Sequence, residues 1–91
     1  MSLQLEYRFA RTERQGFPIV DMSKPERDPD NQQILWMGDV WKSIQMLSNP
    51  MKLEDIIEAT NRSIGERRSD MEIIIAVGGL LATKHLILAD S

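Results

Sequence analysis

Apolar and polar side chains alternate at the start of the chain, with apolar groups at Leu3, Leu5, Tyr7 and Phe9. A period of two predicts a strand with one buried face. A polar stretch ending in Gly16 follows, and residues 17–22 are apolar again. The two runs predict a β-hairpin. Because proline donates no ladder hydrogen bond, Pro18 is expected either on an edge strand or at the first position of the second strand.

Residues 32–38 follow a charged, proline-bearing loop and admit two interpretations. Gly38 and Asp39 lie either inside one long helix or between a short strand and a helix that Asp39 caps. The second interpretation is favoured, since glycine costs about 1 kcal/mol in a helix interior and aspartate is a preferred N-cap. The sequence therefore predicts a third strand over 34–37. A first helix then runs from Asp39 to Asn49-Pro50, where the residue before proline avoids helical backbone.

Two further helices and a final strand are predicted in the second half of the chain. Helical apolar spacing over 53–60, with acidic residues in the first turn, indicates a short second helix. A third helix over 71–84, capped by Ser69 or Asp70, is apolar around much of its circumference and should be buried. Its Gly78-Gly79 pair indicates close packing or a kink. Residues 86–88 are apolar and predict a short terminal strand.

The composition is that of one globular domain over residues 1–91, with 42% hydrophobic and 27% charged residues. The order of elements predicts an α+β fold, in which an N-terminal β-hairpin and a short third strand precede a three-helix bundle. This order resembles that of winged-helix domains. The chain has no cysteine, which predicts a cytoplasmic protein. No apolar run has the length of a signal peptide core or of a membrane span, so neither export nor insertion is expected.

The sequence carries little that points to catalysis. His85 is the only histidine, and its apolar surroundings indicate a structural role. With no cysteine and one histidine, a zinc site is not expected, and the carboxylates lack the spacing of a calcium loop. No glycine-rich phosphate loop or nucleophile motif is found. We therefore expect a protein that is not an enzyme and that needs no metal and no cofactor.

A basic cluster precedes the predicted third helix and consists of Arg62, Arg67 and Arg68. In a DNA-binding winged helix, arginines at this position hold phosphates or read guanine. The formal charge of −3 and the acidic neighbours of the cluster favour a solvated turn instead. Trp36 gives a different indication, because a short strand points alternate side chains to opposite faces. An edge strand with an exposed side chain offers a docking surface for a peptide.

Several segments carry a resemblance to a known family: residues 17–22 followed by Lys24-Pro25-Glu26-Arg27, Met37-Gly38-Asp39 with Ile44 downstream, Leu53-Glu54-Asp55-Ile56, and Leu80-Leu81-Ala82-Thr83-Lys84-His85-Leu86-Ile87. They are similar, in that order, to the second strand and Pro-Glu turn, the strand-to-helix junction, the second helix and the closing helix of the PqqD-like family. Members of that family are small peptide-recognition domains that serve peptide-modifying enzymes. The chain departs from the pattern at Gly38, where asparagine is usual, and at His85, where glycine is usual.

The resemblance implies that a partner peptide adds as a strand to residues 34–37 and rests against the third helix. The implied peptide-binding residues are Ile34, Leu35, Trp36, Met37, Arg68, Met71, Glu72 and Ile75. The function expected from the sequence is a non-catalytic module that binds a peptide or protein segment. The alternatives are a winged-helix DNA-binding regulator and a structural subunit whose apolar surfaces a partner or a second copy buries.

Overall fold

The computed structural model describes residues 4–65 and 68–89, and within them the chain forms three strands and three helices. In chain order these are β1 (Arg8–Arg11), α1 (Pro29–Ser43), β2 (Met51–Lys52), α2 (Leu53–Ile64), α3 (Asp70–Ala82) and β3 (Leu86–Leu88). The strands make one antiparallel sheet in the order β2-β1-β3. The expected α+β architecture is confirmed, as are the second and third helices and the terminal strand.

The central strand β1 pairs with strands that are distant in sequence. Phe9 lies opposite Met51 of β2 on one side and opposite Leu88 of β3 on the other. The predicted hairpin between the N-terminal strand and residues 17–22 is therefore wrong, because residues 17–22 form no strand. The ring of Phe17 packs beside those of Trp41 and His85 instead. Leu3, the first position of the predicted alternation, lies outside the described residues.

The predicted third strand over 34–37 is also wrong, since these residues lie in the middle of α1. The helix begins ten residues before Asp39. The side chain of Asp28 caps it by accepting hydrogen bonds from the N–H groups of Asp30 and Asn31, at 3.0 and 3.3 Å, and Pro29 supplies the preformed backbone of the first turn. Gly38 lies inside the helix, and burial of its neighbour Met37 offsets the cost of an interior glycine.

The core lies between the three helices and one face of the sheet. Its buried hydrophobic residues are Phe9, Met37, Val40, Ile44, Met51, Leu53, Ile56, Ile73, Ala76, Val77, Leu80 and Leu86. Helices α1 and α3 pack closely where Gly79 faces Met37. The helix α3 begins with a capping box, in which the Ser69 hydroxyl accepts from the Glu72 N–H and the Glu72 carboxylate accepts from the Ser69 N–H.

The buried face of β1 is joined to the end of α1 by a charged side chain. Arg11 Nη1 donates to the carbonyl oxygens of Ile44 and Leu47, at 2.8 and 2.6 Å. Both carbonyls lie past the last residue of α1. That of Ile44 also accepts from the Leu47 N–H at 3.0 Å, in the turn that follows the helix, and a guanidinium stabilises such a helix C-terminus. The main-chain N–H of Arg11 donates to Asn49 Oδ1, at 3.1 Å, which places the segment after α1 beside the sheet.

The two adjacent glycines of α3 should respond in opposite ways to substitution by alanine. A Cβ on Gly79 would lie 2.5 Å from Sδ of buried Met37, whereas a Cβ on Gly78 meets nothing within 4 Å. Gly79→Ala should destabilise the fold by about 1–3 kcal/mol through overpacking, and Gly78→Ala should stabilise it by about 0.5–1 kcal/mol. Urea denaturation measures both free energies of unfolding. Equal changes in the two variants would contradict the packing of α1 against α3.

Candidate binding surface

The four residues expected to form an edge strand are distributed around α1. Met37 is buried in the core, and Ile34 and Trp36 are partly buried. Trp36 Nε1 is buried and has no hydrogen-bond partner among the described residues. Leu35 is 43% exposed and is the most exposed of the four. Because helical backbone groups are bonded within the helix, this segment offers no main-chain edge to a peptide.

The residues expected on the third helix lie near the start of α3, on the helix that packs against α1. Met71 is 65% exposed and Ile75 is 40% exposed, so both contribute apolar surface. The carboxylate of Glu72 is engaged in the capping box of α3. The Ile75 carbonyl oxygen accepts a hydrogen bond from Gln33 Nε2 of α1, at 3.2 Å. The structure thus packs α1 against α3, and a helical surface stands where a strand was predicted.

The basic cluster is largely neutralised in the part of the chain that the structure describes. Arg68 Nε donates to Asp39 Oδ2 at 3.1 Å, and both side chains are about two-thirds buried. Arg62 pairs with Glu58, one turn earlier on α2. Arg67 lies outside the described residues. Arg62 also lines a cavity of about 500 Å³ whose walls include the carboxylates of Glu54, Glu58 and Asp70. These carboxylates disfavour a nucleic-acid phosphate at this position.

The sheet has an edge on β2 and an edge on β3, and among the described residues no strand pairs with the outer edge of β3. Thr12 N donates to the His85 carbonyl oxygen at 3.0 Å, and Ala89 N donates to the Arg8 carbonyl oxygen at 2.9 Å. The main-chain groups of an antiparallel strand alternate in direction, so those of Leu86 and Leu88 point away from β1. On its inner face, β3 also packs against α3. Ile87 and Leu88 are each about half exposed, at 49% and 47%.

His85 is buried at the start of β3, and both of its ring nitrogens have partners. Nε2 lies 2.6 Å from the carbonyl oxygen of Gly16 and must donate to it, because a carbonyl only accepts. Nδ1 lies 2.6 Å from Thr83 Oγ1. The imidazole packs against Phe17, with ring centroids 4.9 Å apart, and edge-on against Trp41 at 5.3 Å. The histidine therefore holds the long connection after β1 against the end of α3.

The connection between β1 and α1 is held at a second point by Asn31. Its buried amide accepts from the Asp21 N–H and donates to the Asp21 carbonyl, both at 2.9 Å. The Asp21 carboxylate in turn accepts from the hydroxyl and the N–H of Ser23, and these hydrogen bonds lower the pKa of Asp21. Between Gly16, which His85 holds, and Asp21, which Asn31 holds, lies Ile19, whose side chain is 86% exposed.

Comparison with protein-family models, with curated proteins and with solved structures finds no match to this chain. Within residues 4–65 and 68–89, no helix is both long enough and apolar enough to cross a membrane. No group of three or more histidine, cysteine, aspartate or glutamate side chains in these residues could hold a metal ion. The arrangement of the surface is therefore the basis for a functional proposal.

Replacing His85 by phenylalanine should loosen the connection after β1. The variant keeps an aromatic ring beside Phe17 but loses both hydrogen bonds of the imidazole, and we expect a loss of about 1–2 kcal/mol in the free energy of unfolding. Urea denaturation measures the loss, and the rate of tryptic cleavage after Arg14 reports on the connection itself. The control is Thr83→Val, which removes the contact to Nδ1 and the hydroxyl's own hydrogen bond to the Leu80 carbonyl but keeps the bond from Nε2 to Gly16, and it should leave cleavage after Arg14 slow. An unchanged cleavage rate in His85→Phe would contradict this role.

Proposed function

We propose that the protein is a non-catalytic binding module that takes up an extended segment of a peptide or protein partner at β3, beside α3. The observation that carries the proposal is the free edge of β3. An extended segment that adds to a sheet edge gains affinity from main-chain hydrogen bonds, and side-chain pockets give specificity. The segment expected from the sequence to provide the edge, residues 34–37, is helical. The proposal therefore rests on β3 alone.

Two features of β3 support this position over the other edge of the sheet. At the opposite edge, β2 has two residues and continues directly into α2. By contrast, β3 has three residues, none of them charged, and Leu88 is half exposed beside buried Leu86. Exposed edge strands usually carry charges, prolines or bulges that prevent pairing with another chain. An uncharged edge with apolar side chains is suited to accept a strand.

The order of elements supports the resemblance to winged-helix domains, since a helix, a short strand, two helices and a strand follow one another from α1 to β3. The alternative of DNA binding has less support. The described arginines of the basic cluster are each engaged by a carboxylate, and the first turn of α3 carries Asp70 and Glu72. A groove-reading helix presents donors and cations instead.

Binding of extended peptides at β3 can be tested with a displayed peptide library and the intact chain. Peptides selected from the library should protect the amides of Leu86 and Leu88 from exchange and leave that of Ile87 unchanged, because Ile87 already bonds to β1. Leu88→Pro removes an outward N–H without removing a bond to β1, and should weaken binding by about tenfold. Fluorescence anisotropy measures the dissociation constants.

The matched control is Leu88→Ala, which keeps the N–H and removes only apolar side-chain surface. Its loss of affinity should be smaller than that of Leu88→Pro. Circular dichroism confirms that both variants fold. Amide protection confined to the exposed surface of α3 around Met71, or selection of no peptide at all, would overturn the proposal. Protection of Leu86 and Leu88 in the free protein that increases with protein concentration would identify a second copy as the occupant.

A further inference from the structure

The outer face of the sheet carries two cations directly opposite each other. In the ladder between β1 and β2, Arg8 lies opposite Lys52. Their neighbours Phe9 and Met51 are buried against the helices, at 0% and 2% exposed. Since successive side chains of a strand point to opposite faces, Arg8 and Lys52 both lie on the face away from the helices.

The pairing brings these two side chains as close as an antiparallel sheet allows. Leu53 N donates to the Tyr7 carbonyl oxygen at 2.9 Å, so the pairs on either side of Arg8 and Lys52 are the hydrogen-bonded ones. Residues of the intervening, non-hydrogen-bonded pair have Cα atoms only about 4.5 Å apart. Like charges in direct opposition destabilise a sheet. Folding alone therefore gives no reason for this pair in a chain whose formal charge is −3.

The protein itself leaves most of this positive charge uncompensated. Arg8 is exposed and makes no ion pair with any described residue. Lys52 Nζ lies 3.9 Å from Glu54 Oε1, and both side chains are about half exposed, at 42% and 54%. A pair at that distance in solvent contributes little. The two side chains are thus available to a carboxylate of another molecule.

The same face continues to the free edge of the sheet. Ala10 of β1 lies opposite Ile87 of β3, so Ile87 shares the outer face with Arg8 and Lys52. A strand added to β3 would lie about 10 Å from β1, two strand spacings away. A glutamate carboxylate on the outer face of that strand lies within combined side-chain reach of Arg8. Lys52 on β2 is three strand spacings, about 14 Å, from the added strand, so it does not contact the carboxylate and only adds to the positive potential. On the inner face of the added strand, side chains would pack beside the half-exposed Leu88.

We propose that the segment bound at β3 alternates apolar and acidic residues, with its carboxylates on the outer face of the sheet, where Arg8 pairs with them and Lys52 adds to the positive potential. This inference rests on the proposed function and specifies the chemistry of its partner. The apolar residues extend the inner face beside Leu88, and the main chain pairs with Leu86 and Leu88. Surface ion pairs of this kind add selectivity and a faster association rate, and salt weakens them.

The test compares two capped eight-residue peptides, one alternating valine with glutamate and one alternating valine with glutamine. The intact protein should bind the glutamate peptide about fivefold more tightly in low salt, and the preference should disappear at 0.5 M sodium chloride. The preference should also be lost in the double variant Arg8→Gln, Lys52→Gln. The matched control is Lys42→Gln, which removes a charge from α1, away from the sheet, and should keep the preference.

The outcomes separate this inference from the function on which it rests. Equal affinity for both peptides, with both weakened by Leu88→Pro, would overturn the acidic preference and leave strand addition standing. A glutamate preference that survives in the double variant would also overturn it, because another cation would then be responsible. If neither peptide binds and library selection also yields no ligand at β3, the proposed function itself fails, and the inference fails with it.

Discussion

The antiparallel pairing of β1 on both of its sides is the interaction on which the rest of the fold depends. On one side β1 pairs with β2, which leads directly into α2. On the other side it pairs with β3, which follows α3 in the chain. On its inner face, Phe9 fills the core and Arg11 binds the carbonyls at the end of α1. A four-residue strand thus connects all three helices. Its pairings join residues more than forty positions apart, so the sheet closes chain segments that contain all three helices.

The sequence predicts those parts of the fold whose signals are local. Alternation around Phe9 identifies a strand and its buried face, and helical spacing identifies α2 and α3. Of the two caps predicted for α3, Ser69 and Asp70, the structure uses Ser69. Alternation carries no information about the partner of a strand. The apolar run at 17–22 was the nearest candidate in sequence, but Phe17 packs on His85 and the ladder uses distant segments. The position of β3 at an edge of the sheet follows from that topology, so the sequence could not place the proposed binding edge.

Residues 32–38 show how a local signal and tertiary packing compete. The helix starts at Asp28-Pro29, whereas the cost of an interior glycine at Gly38 favoured a start at Asp39. Packing against α3 reverses the preference, because a continuous helix buries Met37 and Val40 together. Asp39 lies inside α1 and is not the N-cap that the sequence predicted, and its carboxylate pairs with Arg68, which lies just before α3. One helix boundary therefore determines both the loss of the expected edge strand and the neutralisation of Arg68, which the alternative of DNA binding would require to be free.

The position of β3 beside β1 has a topological consequence. The N–H of Ala89 donates to the carbonyl of Arg8, so the end of the last strand lies next to the start of the first. Joined by a short turn, these two strands would make an ordinary β-hairpin. A circularly permuted chain that begins in the exposed segment around Met22 would keep every strand pairing and every helix contact while the order of its elements changes. The architecture is thus compatible with the natural and the permuted chain order. Only in the permuted order do β3 and β1 follow each other as the two strands of a hairpin.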